Sequence, residues 1–159
     1  DRRSSAAERL GKDTLVIAQT YAATFLVTNV VKVAVRRLRP YNYNPAFIAQ
    51  RVQGDSRLSF PSGHTSMAFA GAATLAVLLD QRFPGEPWAV ATAVGGFTLA
   101  ASTAAARVLA GRHFPTDVLV GAALGTTLGF LVPSLHAGRD APSTPSDARP
   151  VGLAVGGRF

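Results

Sequence analysis

Ser59-Phe60-Pro61-Ser62-Gly63-His64-Thr65-Ser66 places a turn built from Pro, Ser and Gly immediately before an uncharged run that lasts to Leu79. Ser62 is a good helix N-cap, Gly63 lets a ligand approach the backbone, and free N–H groups at a helix start attract anions. A histidine just inside that start can hand a proton to a leaving group. Taken alone, the stretch is equally a capped helix start with a surface histidine.

The rest of the chain gives that turn a setting. The 159 residues fit one domain, with 48% hydrophobic and only 16% charged residues. Ala, Val and Leu interspersed with Gly suit closely packed helices, including helices in a bilayer, where small residues let backbones approach. The formal charge is +7, carried by fourteen Arg against two Lys, which favours forked binding of phosphate or carboxylate. No module that reads nucleic acid accompanies the charge, so nucleic acid is not the expected partner. The absence of Cys excludes disulfides and thiolate metal sites. The chain begins at Asp1 without an initiator Met and reads as a processed or trimmed product.

Four uncharged runs organise the chain. Residues 1–13 read as a polar N-terminal flank, 14–138 as a helical domain and 139–159 as a flexible tail rich in Pro, Ser and Asp. The first run, Thr14 to Val31, is near the lower length limit for a membrane span and leads into Lys32-Val-Ala-Val-Arg36-Arg37-Leu-Arg39-Pro40. A helix stopped by Pro40 would project Lys32 and Arg39 from one face, with Arg36 between them. A polar loop over 41–60 precedes the opening turn. The third run starts at Trp88, an interfacial anchor by position, and ends at Arg107. The fourth follows His113 and Asp117, with Thr116 as its expected N-cap. His136, at its far end, reads as an interfacial side chain, and Arg36, Arg37, Arg51, Arg57 and Arg112 as solvated or lid charges. The fold class expected is all-α, an antiparallel helical bundle embedded in a membrane, with the active site at one end of the bundle.

Antiparallel packing of the four runs brings the Lys32, Ser62 and Arg107 blocks to one end, opposite the termini. Each end holds eight basic residues; with Lys32, Arg39 and Arg107 reserved for a ligand, the count becomes eight to five. Under the positive-inside rule the blocks then face away from the cytoplasm. Lys32, Arg39 and Arg107, with the backbone at Gly63, could hold a phosphate dianion. His64 and His113 could divide the roles of acid and nucleophile, and Asp117 could hydrogen-bond one imidazole nitrogen and fix its tautomer. The surrounding cations oppose a metal ion, and no metal or other cofactor is called for.

Lys32 with Arg39-Pro40, then Pro61-Ser62-Gly63-His64, then Arg107, His113 and Asp117 resemble the three-part signature of the type 2 phosphatidic acid phosphatase superfamily. That superfamily also contains bacterial acid phosphatases, glucose-6-phosphatases and vanadium haloperoxidases. The resemblance implies that His113 attacks phosphorus to form a phosphohistidine, Asp117 assists it and His64 protonates the leaving oxygen. Lys32, Arg39, Ser62, Gly63 and Arg107 would bind the phosphoryl oxygens. Ala106 departs from the pattern, which usually has Ser before the third-block Arg. Membrane members usually have six spans, so four imply either two upstream of Asp1 or a minimal or soluble variant. The implied activity is metal-independent hydrolysis of a phosphomonoester or diphosphate, most readily of a lipid, with membrane lipid as the surroundings. A vanadate-dependent haloperoxidase, a soluble acid phosphatase and a non-catalytic binder of anionic lipid are the alternatives.

Overall fold

A computed structural model describes residues 2–47 and 54–137. Four α-helices carry most of them: α1 (Arg2–Val35), α2 (Gly63–Arg82), α3 (Pro87–Leu109) and α4 (Pro115–Ala137). Two short 3-10 turns, Pro40–Tyr43 and Pro45–Phe47, follow α1. The helices run up and down, so that the end of α1, the start of α2, the end of α3 and the start of α4 share one end of the bundle. At that end Ser62 N–H donates to the Asp117 carbonyl at 2.9 Å. At the other end Arg82 pairs with Asp13 and donates to the Arg9 carbonyl at 3.2 Å. The all-α, antiparallel expectation therefore holds for the described residues.

Three boundaries differ from the expectation. The flank 1–13 is the beginning of α1 rather than a separate lead-in from Arg2 onward: Ala6, Ala7, Glu8, Arg9 and Leu10 are good helix formers, and no Pro interrupts them. At the other end α1 stops at Val35, short of Pro40, because Arg36 takes a positive φ of 50° while its N–H still bonds the Lys32 carbonyl at 3.0 Å. That left-handed residue closes the helix as a C-cap does. Arg36 is exposed. Similarly, α4 begins at Pro115, so Thr116 lies within its first turn. The tail 139–159 lies outside the described residues.

Small residues hold the helices together. On α4, Asp117, Gly121, Gly125, Gly129 and Pro133 are all buried and spaced four apart, one stripe along the helix. A Cβ at Gly121 would stand 2.8 Å from the Ser62 carbonyl oxygen, and one at Gly129 would stand 2.6 Å from that of Ala70. A Cβ at Gly125 would overlap the Ser66 carbonyl oxygen outright. Thus α2 and α4 touch backbone to backbone, as small residues allow.

The interior has the opposite character to that of a water-soluble bundle. The largest wholly buried side chains are Thr, Pro, Ser and Asp, including Thr20, Thr24, Thr65 and Asp117, whereas Phe25, Leu26, Val94, Leu99, Leu119 and Leu135 face outward. The stretch Ala6–Tyr43 and helices α3 and α4 are long and apolar enough to cross a membrane. Trp88, at the start of α3, packs edge-on against Phe83. Substituting Gly125→Ala is expected to destabilise the fold by about 3 kcal/mol through overpacking at the helix contact. Gly95→Ala, in an open position on α3, should be neutral or stabilising by about 0.5–1 kcal/mol. Thermal unfolding of the two variants in detergent measures the contrast.

Candidate active site

The unwinding after Val35 sends the arginines that follow in different directions. Arg39 turns inward, and its guanidinium is held by Asp55: Nη2 to Oδ2 at 2.8 Å and Nε to the Asp55 carbonyl at 3.0 Å. Its Nη1 faces the Arg112 carbonyl at 3.2 Å and His113 Nε2 at 3.4 Å. Lys32, on the last turn of α1, is 9% exposed and donates from Nζ to the Leu58 carbonyl at 2.8 Å. The loop before α2 therefore fixes both cations.

His113 is 3% exposed, and its Nδ1 lies 2.7 Å from the Ser59 carbonyl oxygen. A carbonyl only accepts, so Nδ1 carries the proton and Nε2 keeps its lone pair. Sequence reasoning gave this task to Asp117. Its Oδ2 stands 3.6 Å from Nδ1, beyond a hydrogen bond, and acts on the ring as a charge. Asp117 is wholly buried and is satisfied by three separate segments. Oδ2 accepts from Ser59 Oγ at 2.5 Å and from Phe114 N–H at 2.9 Å, and Oδ1 accepts from Arg37 Nη1 at 2.8 Å. The bond from Phe114 N–H is half of a capping box at the start of α4.

Burial, reinforced by the Arg39 and Lys32 charges, pushes the His113 imidazole down from 6.5 to about 4, against the Ser59 carbonyl and Asp117, which raise it. His64 stands exposed on the first turn of α2. Partial desolvation and the Arg107, Arg39 and Lys32 charges hold its imidazole below its ordinary value.

Lys32, Arg39, Gly63, His64 and His113 line one cavity of about 360 Å³ together with Phe25, Thr28, Asn29 and Met67. Five of the eight residues singled out from sequence thus meet on a single space. Asp117 lies behind His113. Ser62 is wholly buried beside it, with Oγ taking a hydrogen bond from Thr65 Oγ1 at 2.9 Å instead of capping α2. Arg107 does not line the cavity; its carbonyl receives the N–H groups of Arg112 and His113, and its charge acts on His64. Among the described residues no cluster of three His, Asp or Glu could hold a metal ion.

Three contributors escaped sequence reasoning. Arg37, read as a solvated charge, binds Asp117 and Thr116 Oγ1 through Nη1 and lies 4.1 Å over the Phe114 ring. Ser59 and Asp55 act through a carbonyl and a loop carboxylate, which no residue spacing announces. Only the position of Ser59 in the same turn as His64 hinted at its role.

A PAP2 superfamily model matches residues 13–140. The decaprenylphosphoryl-5-phosphoribose phosphatase of Mycobacterium tuberculosis is 43% identical over 110 residues, covering 69% of this chain and 54% of that protein. The lipid A 1-phosphatase of Porphyromonas gingivalis is 35% identical over 105 residues, covering 66% of this chain and 20% of that one. The crystal structure of a transmembrane PAP2-type phosphatidylglycerolphosphate phosphatase from Bacillus subtilis superposes with a TM-score of 0.66 at 29% identity. It covers 79% of this chain and 60% of that one. The chain spans about half the length of the mycobacterial relative.

The environment of His113 has a measurable consequence. His113 is expected to titrate near 4 with the proton on Nδ1 above that pH, as imidazole NMR shifts report. Lys32→Met removes a cation and should move the midpoint upward. A midpoint at or above 6.5 in the wild type would contradict the described environment.

Proposed function

Because the chain belongs to the PAP2 superfamily, we propose that it is a membrane phosphatase that removes phosphate from a phosphorylated lipid, without a metal ion, through a phosphohistidine on His113. The observation that carries this reading is the tautomer of His113, whose lone pair at Nε2 faces the cavity beside Arg39. The named relatives are phosphatases of prenyl-linked, lipid A and phosphatidylglycerol phosphates, which supports a lipid-linked leaving group.

In the first step Nε2 gives its electron pair to phosphorus and the bond from phosphorus to the leaving oxygen breaks. Protonated His64 supplies the proton that this oxygen needs. His113 becomes positively charged, and the buried Asp117 carboxylate offsets that charge through space while the Ser59 carbonyl keeps the ring oriented. Lys32 and Arg39 balance the charge on the phosphoryl oxygens, with the backbone at Gly63 close by. In the second step water attacks phosphorus, neutral His64 takes its proton, and the bond from phosphorus to Nε2 breaks, returning His113.

Phe25 and Met67 give one side of the cavity an apolar wall suited to the lipid part of the substrate. The site faces away from the cytoplasm in this reading, supported by the eight-to-five count of basic residues that remains once Lys32, Arg39 and Arg107 are reserved for phosphate.

Phosphate release from a panel of lipid phosphates should persist in EDTA, be inhibited by vanadate and vanish in His113→Ala; loss of activity in EDTA would overturn the mechanism. The pH profile follows from the two imidazoles. His113 must be neutral, so kcat/KM falls as pH drops through about 4. His64 must be protonated, so kcat/KM falls as pH rises through its lowered value, below 6.5. An acidic optimum between those limits is expected, and His64→Ala should abolish the alkaline limb.

A further inference from the structure

Thr28 belongs to a buried face of α1 that repeats every four residues through Thr20, Thr24, Thr28 and Lys32. Thr20 Oγ1 donates to the Val16 carbonyl at 2.9 Å and Thr24 Oγ1 to the Thr20 carbonyl at 2.7 Å. Thr28 has the same opportunity in the Thr24 carbonyl but makes no such bond. It is 2% exposed, and its Oγ1 is buried without any hydrogen-bond partner. A buried hydroxyl left unpaired is costly, so such a group in a well-packed interior calls for an acceptor.

The surroundings indicate where that acceptor lies. Thr28 lines the same cavity as Lys32, Arg39, His64 and His113. Its methyl Cγ2 stands 3.7 Å, and Lys32 Cε 3.5 Å, from the point where a side chain on Gly63 would begin. Thr28 and Lys32, one helical turn apart, therefore flank Gly63 at the floor of the cavity. Rotation about χ1 carries the hydroxyl to the place the methyl now takes, and Thr populates two χ1 rotamers in helices. Beyond Thr28 the lining is Phe25, Met67 and Asn29, and Asn29 Nδ2 already donates to the Phe25 carbonyl at 2.8 Å. Thr28 thus carries a buried, unengaged donor between the cations and the apolar wall.

We propose that the Thr28 hydroxyl is a substrate contact, donating a hydrogen bond to an oxygen of the phosphoryl group held between Lys32, Arg39 and His113. The proposal rests on the phosphatase reading above and adds a contact to it. A neutral donor suits this position: it binds an anionic oxygen without adding a further positive charge beside His113.

The test compares Thr28→Val, which keeps the shape and loses the hydroxyl, with Thr28→Ser, which keeps the hydroxyl and loses the methyl. Binding of inorganic phosphate to the detergent-solubilised protein is followed by ³¹P NMR, and kcat/KM is measured on a lipid phosphate. Thr28→Val should weaken phosphate binding and lower kcat/KM by about tenfold each, and Thr28→Ser should stay within about twofold of wild type. Wild-type behaviour in Thr28→Val would overturn the proposal, as would an equal loss in Thr28→Ser, since the methyl packing would then be responsible. If Thr28→Val does not yield folded protein, Thr28→Ala is compared with Thr28→Ser on the same terms. Should the wild type hydrolyse no phosphoester yet bind phosphate with the same contrast between variants, the phosphatase reading fails and the Thr28 contact stands.

Discussion

The carboxylate of Asp117 is the point on which the site is assembled. A wholly buried charge is expensive unless hydrogen bonds and an opposite charge meet it. Here the partners arrive from three parts of the chain: Arg37 after α1, Ser59 before α2 and Phe114 before α4. The backbone of the same residue receives the Ser62 N–H. Each partner is a segment that would otherwise be an independent loop, so satisfying one carboxylate fixes three connections. The position of His113 follows, because Ser59 uses its hydroxyl for Asp117 and its carbonyl for the imidazole. Ion pairing with Arg37 is partly open to solvent, which tempers its contribution; the wholly buried Ser59 bond is not so screened.

The charge around the cavity has a different logic. Lys32 and Arg39 sit beside two imidazoles, with Asp55 and Asp117 already engaged by Arg39 and Arg37. The two carboxylates orient their guanidinium partners without filling the cavity itself. A multiply charged anion would find cations, the His113 Nε2 beside Arg39 and the start of α2, whose capping residue turns its hydroxyl elsewhere. The same anion would also favour protonation of His64, the form that can act as acid. Binding and catalysis then draw on one electrostatic arrangement.

The up-and-down arrangement of helices and the gathering of Lys32, Gly63, His64 and His113 at one end were legible because they depend on spacing and on the length of the connections. Residues that act through backbone groups were not. Nothing in the side chain of Ser59 reveals that its carbonyl orients His113, and Arg37 looks like its neighbour Arg36 until the chain turns at Arg36 itself. Extending α1 to Pro40 was reasonable from proline alone, but a left-handed residue can end a helix earlier, and Arg carries no mark of that conformation. The same limit applies to the N-terminus. Polar residues suggested a flank, whereas helix propensity and the pairing of Asp13 with Arg82 continue the helix through it. The glycines of α4 were legible as a taste for close packing, and their role against Ser66 and Ala70 emerges only when α2 is in place.

The distribution of side chains connects the site to its solvent. In water, a bundle with Thr20, Thr24 and Ser66 inside and Phe25, Leu26 and Leu99 outside would gain little from folding, because burial of apolar area is the main driving term. In a bilayer that term is nearly absent between helices, and close backbone contact and internal hydrogen bonds decide the packing. Gly121, Gly125 and Gly129 against α2, with Thr74 Oγ1 donating to the Gly129 carbonyl at 3.3 Å, are contacts of that kind. Such packing also keeps α2 in contact with the other three helices, so that Gly63 on its first turn is held against Thr28 and Lys32 of α1. The small residues that suit the lipid environment are therefore also what brings the first turn of α2 close enough to Lys32 and Thr28 to share one cavity with His113.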